Sequence, residues 1–291
     1  MTVTVSNLTG TFLAFWERAK DKPVSEQVSL WETYYAEPHR DVLDFYQKHY
    51  NDLNAPPEDV FARYPHVIPA IRTVWADAGT VIAEAAKRCA ATLGVAETPG
   101  HHVVMVGRFS SNAWADLFRG VPTCFYALEL IPDVATLALM AAHETAHALH
   151  HNVSDVPFEG ATVAEKLMLE GLATLTSEVV TPGLSDEAYL WPGYKTATDG
   201  QEVTAWLQRC VALSQLKEQL LHVLDSDDPA TLARYFSAGS EHRREHTPVR
   251  AGYAVGFWLL RHLHRRFELS ELARWNRARI REEIAWAISS G

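Results

Sequence analysis

The residues that most directly suggest chemistry are His143, Glu144 and His147, in the run His143-Glu144-Thr145-Ala146-His147. On an α-helix, positions i and i+4 lie one above the other, so the two imidazoles can hold one metal ion together. The carboxylate of Glu144 sits beside the first imidazole, where it can take a proton from a water activated by that ion. The surroundings predict the helix this needs. Pro132 stops what precedes it, and Asp133 can cap the free N–H groups of the first turn. Val134 to His151 contains no Gly or Pro, and Leu137, Met140, Ala141 and Leu149 would anchor the helix in a core. Residues 164–173 predict a second helix with Glu170 in mid-course. The chain between His147 and Glu170 is long enough for one helix to end and another to return antiparallel. A catalytic zinc site takes three protein ligands and keeps one position open. His143, His147 and Glu170 are therefore the expected ligands of one Zn2+ per chain, a donor set that also admits Co, Mn or Fe. Glu165 is a rival third ligand. Glu170 is preferred because the small Gly171 and Ala173 beside it would let the two helices pack closely. His150 and His151 extend the histidine run; they could bind a second metal or line a cleft. Solvation at a helix C-terminus, where His is favourable, is the commoner use.

An H-E-x-x-H motif followed by a glutamate on the next helix resembles the gluzincins, the thermolysin-like clan of metallopeptidases. The pairing of this motif with Glu170-Gly171-Leu172-Ala173 is similar to a bacterial family of predicted zinc-dependent proteases of unknown substrate. The segment Arg250-Ala251-Gly252-Tyr253-Ala254-Val255-Gly256 is similar to that family's C-terminal helix. The resemblance covers roughly residues 100–265 and implies zinc, a glutamate general base and a two-helix metal site, but no substrate. In the wider clan a carboxylate one turn after the glutamate ligand orients a zinc-bound histidine. This chain has Thr174 there, so its hydroxyl or an acid such as Glu178 would take that place. The metzincin pattern is excluded, because His150 and Val153 stand where it needs Gly and His.

Attack of water on a carbonyl also needs a donor for the oxyanion. Glu245 to Tyr253 supplies several, with Tyr253 the first choice and His246 the second. Thr247 would cap the helix that follows, and Pro248 would fit its first turn. Tyr253 also shares helical spacing with Val249, Phe257 and Leu260, a pattern more often that of a core residue. Arg250 would pair near Glu144 or with a substrate carboxylate. Residues 102–107 and 123–129 read as two strands linked by 108–121. An edge strand beside the metal helix can bind a substrate main chain by strand addition, although two ordinary strands of a small sheet fit as well. Glu129 would then lie near enough to contact a substrate amino group.

These elements need a scaffold, and the chain of 291 residues with 47% apolar content can bury a large one. Aromatic-rich segments at 12–16, 28–31 and 42–46, and a longer pattern from Val67 to Ala86, predict helices in the N-terminal third. Helices are also expected near 198–224, 228–237, 248–267 and 269–288. An aromatic loop of Tyr189, Trp191 and Tyr194 around Pro192-Gly193 could cover the cleft. Segments 1–9, 182–200 and 238–247 read as the least ordered. The expected fold is mainly α with a small β-sheet, an α+β class with a gluzincin-like helix pair beside a short sheet. Residues 1–100 would form a helical subdomain and 101–291 the catalytic part of one compact unit. The formal charge of −10 argues against nucleic acid, and no apolar run is long enough to span a bilayer. The N-terminus lacks the parts of a signal peptide, and Cys89, Cys124 and Cys210 read as buried thiols, so a cytoplasmic location is expected. The reading is a zinc-dependent hydrolase, a peptidase acting on a peptide or small amide. The alternatives are an inactive metallopeptidase-like protein that binds peptide or senses metal, and a zinc hydrolase of a non-peptide amide or ester. Sequence leaves the oligomeric state open.

Overall fold

The chain begins with a strand, where the sequence suggested a loose tail. In a computed structural model, which describes residues 2–49, 56–95, 100–193, 199–212, 214–237 and 247–290, β1 (Val3–Asn7) pairs in parallel with β2 (Gly100–Met105). Its partner lies far along the chain, so local sequence gives little sign of the pairing. Asn7 ends the strand by accepting a hydrogen bond from the backbone N–H of Thr9, and α1 (Thr9–Ala19) follows. Next come α2 (Val24–Trp31), a π turn (Glu32–Ala36), a 3-10 turn (Glu37–His39) and α3 (Arg40–His49). The long apolar pattern belongs to α4 (Pro57–Thr92), which continues through Pro65 and Pro69.

Residues 108–121 are not simply a linker. They contain β3 (Ala113–Phe118), which forms a hairpin with β4 (Val121–Ala127). The two turn residues, Arg119 and Gly120, both have positive φ (55° and 75°), matching the twist that a two-residue hairpin prefers. The sheet order is β1-β2-β4-β3; the first three strands are parallel, and β3 runs antiparallel to β4 as an edge strand.

After a 3-10 turn (Leu128–Leu130) comes α5 (Val134–Val153), capped by Asp133, which accepts from the N–H of Thr136 at 2.7 Å. Then α6 (Val163–Val180) starts with a capping box: Thr162 and Glu165 each accept from the other's backbone N–H. The remaining helices are α7 (Asp186–Leu190), α8 (Asp199–Ala212), α9 (Ser214–Val223), α10 (Pro229–Phe236), α11 (Ala251–His264), α12 (Leu269–Leu272) and α13 (Arg277–Ser290). Thr247 does not cap α11. Its hydroxyl accepts from Arg234, and α11 starts only after Arg250, which takes a left-handed conformation (φ 55°). The class is therefore mainly α with a small sheet, as expected.

Two apolar clusters meet on α5. One is aromatic and joins the N-terminal helices and the sheet to Leu137, Met140 and Ala141. The other is largely aliphatic and joins α6, α11 and α13 to Leu139, Ala142, Ala146 and Leu149. A helix approached from both sides needs small residues, which accounts for its alanines. Cys89, Cys124 and Cys210 are buried and free. Among the described residues, no helix is long and apolar enough to cross a membrane.

Candidate active site

The i, i+4 spacing on α5 sets His143 and His147 one turn apart, and α6 brings Glu170 against both. His143 Nε2 and His147 Nε2 are 3.2 Å apart. Glu170 Oε2 is 3.5 Å from the first and 3.4 Å from the second. A tetrahedral ion held at about 2.0–2.1 Å has ligand atoms about 3.3 Å apart, so this triangle of donors fits zinc. The donor types, two imidazoles and one carboxylate, fit it as well. The same triangle could exist as a hydrogen-bonded His–His–Glu cluster, but its edges are nearly equal and its donors converge. Burial opposes the charge of Glu170, yet the His147 ring and hydrogen bonds from both imidazoles hold its carboxyl well below the usual range. Burial likewise opposes charge on His147, and the Glu170 carboxylate raises its pKa above the ordinary value. Lys166, one turn before Glu170, places its ammonium 3.7 Å from Oε1.

Glu144 is buried, lines the same cleft and lies next to the triangle. Burial raises its carboxyl above the ordinary value, and the neighbouring His143 and His147 offset part of that rise. That balance suits a group that takes a proton and gives it away again. The cleft has a volume of about 540 Å³, within the range that holds a short peptide segment. Its walls are the metal helices, β3 with the loop before it, and the 189–192 segment.

Tyr253 of α11 stands in this cleft with Glu144 and Glu170. Burial pushes its hydroxyl up, the two carboxylates push in the same direction, and the neighbouring Arg250 pulls partly against them. The hydroxyl therefore keeps its proton and can donate a hydrogen bond. His246 and Tyr194 lie outside the described residues. Glu165, the rival ligand, is occupied elsewhere: it closes the capping box and pairs with Arg277. Glu178 forms a two-point ion pair with Arg261 and so does not orient His143 or His147. The Thr174 hydroxyl donates to the backbone carbonyl of Glu170 at 2.8 Å, steadying the helix beneath the ligand.

Three further expectations change. His150 is buried rather than solvated, and burial pushes its pKa down to about 3. Glu129 does not reach the cleft. It is buried behind the segment after β2, where its carboxylate accepts from the N–H groups of Gly107 (2.8 Å) and Phe109 (3.1 Å). Gly171 does not ease the contact of α6 with α5. It faces α11, where Gly256 opposes it, and a Cβ on Gly256 would stand 2.6 Å from the Leu167 carbonyl oxygen.

Sequence reasoning missed β3, Asn112 and Lys166 as parts of the site. Lys166 was legible as the i−4 neighbour of Glu170. Asn112 was not, because its partner is the carbonyl of Pro192, 3.2 Å from its amide nitrogen and distant in sequence.

Two histidines and a glutamate on adjacent helices, a buried carboxylate beside them and an edge strand across the cleft define a candidate metallohydrolase centre in an α+β chain. The chain belongs to the family described as predicted Zn-dependent protease (DUF2268), whose family model matches residues 117–279 and so includes all of His143, Glu144, His147, Glu170 and Tyr253. No curated protein and no solved structure matches the chain.

Proposed function

We propose that the protein is a zinc-dependent peptidase of the gluzincin type, with His143, His147 and Glu170 holding the ion. The observation that carries this reading is the near-equilateral donor triangle with the buried carboxylate of Glu144 beside it. When bound, zinc supplies a Lewis acid that polarises a carbonyl and lowers the pKa of water. Glu144 takes the proton of the attacking water and passes it to the leaving amine. Tyr253 donates its phenolic proton in a hydrogen bond to the developing oxyanion. The open edge of β3 takes the extended substrate main chain by strand addition. A two-residue hairpin makes hydrogen-bonded pairs of Phe118–Val121, Asp116–Thr123 and Trp114–Phe125. Ala113, Ala115 and Leu117 therefore turn their main-chain groups toward the edge, where Asn112 and Ser111 already hold those of Ala113 and Asp116 holds the N–H of Leu117, so the addition centres on Ala115. The substrate is a peptide, with no role for nucleic acid or membrane, and the location is cytoplasmic.

The test pairs metal content with turnover. Elemental mass spectrometry of the untagged chain should find about one zinc, as the three-ligand site requires. His147→Ala should lose both the zinc and the cleavage of a peptide library. Glu144→Gln should keep the zinc and lose at least about a hundredfold in turnover. Full turnover in Glu144→Gln would sink the mechanism. A chain that takes up no zinc would leave a peptide-binding relic as the better description.

A further inference from the structure

The cleft has one closed end. Asn112, immediately before β3, donates its amide to the Pro192 carbonyl, and its own Oδ1 accepts from the N–H of Ala113 at 2.9 Å. The segment it grips is pressed against the start of α5, since a Cβ on Gly193 would meet the Leu130 carbonyl at 3.1 Å and Thr136 at 3.4 Å. The lining residues are therefore ordered along α5. Asn112 and Pro192 lie beside its first turn, His143 and His147 follow, and Phe158 lies against His151 near its last turn, ring centroids 4.4 Å apart.

Arg250 lines the cleft near the closed end. Its guanidinium carbon lies 4.4 Å from the ring centre of Trp191, the residue before Pro192, and 4.1 Å from that of Tyr253. The two rings hold the guanidinium, part of whose N–H edge meets the Tyr253 hydroxyl, and its remaining donors are left for a ligand. Among the described residues no carboxylate pairs with it, whereas Arg277 and Arg281 each hold one and Arg261 holds two. Lys166, the other cation of the cleft, is already engaged by Glu170. Arg250 also stands at the N-terminus of α11, where the helix dipole disfavours a cation, and in a left-handed backbone. Among the described residues the two rings are what holds the cation in this placement, and no carboxylate neutralises it.

The direction of β3 says what the cation meets. Antiparallel addition is the more stable pairing, and a substrate antiparallel to β3 has its C-terminal end at Ala113, beside Asn112, Pro192 and Arg250. Two acidic residues also line the cleft, Asp116 three positions farther along β3 than Ala113 and Glu159 next to Phe158. This polarity complements a free peptide, whose carboxylate is at one end and ammonium at the other. We infer that Arg250 anchors the free C-terminal carboxylate of the substrate, so that the protein takes peptides with an unblocked C-terminus and cuts near that end. The inference rests on the peptidase reading for the cut but not for the carboxylate site.

Binding separates the two. The zinc-loaded Glu144→Gln chain is titrated calorimetrically with N-acetylated hexapeptides that end in either a free carboxylate or an amide. The free acids should bind about tenfold or more tightly, as a bidentate charge-assisted pair does. Arg250→Gln should abolish that preference and Arg250→Lys should restore part of it, with circular dichroism showing that each variant folds. Equal binding of acid and amide, or no binding of either, overturns the inference. A preference that survives in Arg250→Gln also overturns it. A free-acid preference that needs Arg250, in a wild-type chain that cleaves none of these peptides, sustains the anchor and sinks the peptidase instead.

Discussion

The aromatic cluster on one side of α5 and the aliphatic cluster on the other are built by different means and hold different halves of the site. On the aromatic side Phe12, Phe15, Trp16, Trp31, Tyr35 and Tyr64 pack mostly edge to face, with Phe12 and Tyr64 centred 5.0 Å apart. Their polar tips leave the cluster at one place, the segment after β2. Tyr35 donates to the Val106 carbonyl (2.9 Å), Tyr64 to the Gly107 carbonyl (2.8 Å), and the Tyr46 hydroxyl accepts from the Arg108 N–H (2.9 Å). Glu129 holds the same segment from below, and Gly107 has no room for a Cβ beside Tyr46 and Glu129. This side therefore positions the entry to β3, where a substrate main chain would lie. The aliphatic side uses bare backbone instead. Gly171 and Gly256 let α6 and α11 cross at backbone contact, which sets the height of Glu170 against α5. An aromatic core with hydroxyl tips fixes a loop at a distance, whereas a glycine crossing fixes a helix directly.

The largest effect should come from filling that crossing. A Cβ on Gly171 would stand 2.6 Å from the carbonyl carbon of Gly256, and neither backbone can yield as a side-chain tip does. Gly171→Ala is expected to cost about 3 kcal/mol, the upper end for an overpacked core. Zinc affinity should fall about tenfold as Glu170 shifts, comparable to losing a supporting partner of a metal ligand. Urea unfolding and a zinc titration of the same variant measure both. Normal zinc affinity in a destabilised Gly171→Ala chain would break the link between the crossing and the ligand.

A smaller effect, of another kind, is expected on the aromatic side. Burial raises the Glu129 carboxyl to about 7, against the backbone N–H groups of Gly107 and Phe109 that favour its charge. In the unfolded chain the group loses its proton near the ordinary value of 4.5. The protonated form is thus favoured by folding, and the stability it contributes is full below about 4.5 and lost as pH rises through about 7. Between pH 5 and pH 8 the wild type should lose about 2 kcal/mol relative to Glu129→Gln, which does not titrate. Unfolding curves of the two proteins at both pH values test this. A difference that stays flat would mean that Glu129 is solvated or ionised throughout, and that the segment after β2 is held by the tyrosines alone.

What the sequence disclosed about each side follows from how local the signals are. His143 and His147 were legible because their spacing is a property of one helix, and Asp133 marked its start. Glu170 was legible because a second helix with one central acid follows directly. The edge strand was not, because Arg119-Gly120 lacks the common hairpin turn residues and Trp114 alternates only with small or half-exposed neighbours. β1 was hidden by its non-local partner. The start of α11 was misjudged because Thr247 and Pro248 look like a cap and first turn, while the left-handed Arg250 delays the helix. Glu129 looked functional because it is an acid near the site, and only burial shows that its partners are backbone N–H groups. His150 looked solvated for its place near a helix end, and only the packing around α5 shows otherwise.

The mildest perturbation tests whether the two sides are independent. Tyr64→Phe keeps the ring among Phe12, Trp31 and Phe61 and removes only the hydroxyl that donates to Gly107. A buried carbonyl loses its partner, for which about 1 kcal/mol of stability is expected. The ligand triangle is braced by α6 and α11 on the far side of α5, so zinc affinity should match the wild type within error. Peptide affinity should fall, because the segment leading into β3 loses one of its fixings. Thermal unfolding, a zinc titration and peptide binding to the zinc-loaded chain make the comparison directly. Weakened zinc binding in Tyr64→Phe would mean that strain passes through α5 from one cluster to the other. The alanine-rich helix would then be a coupling element between the substrate strand and the metal, rather than a partition between them.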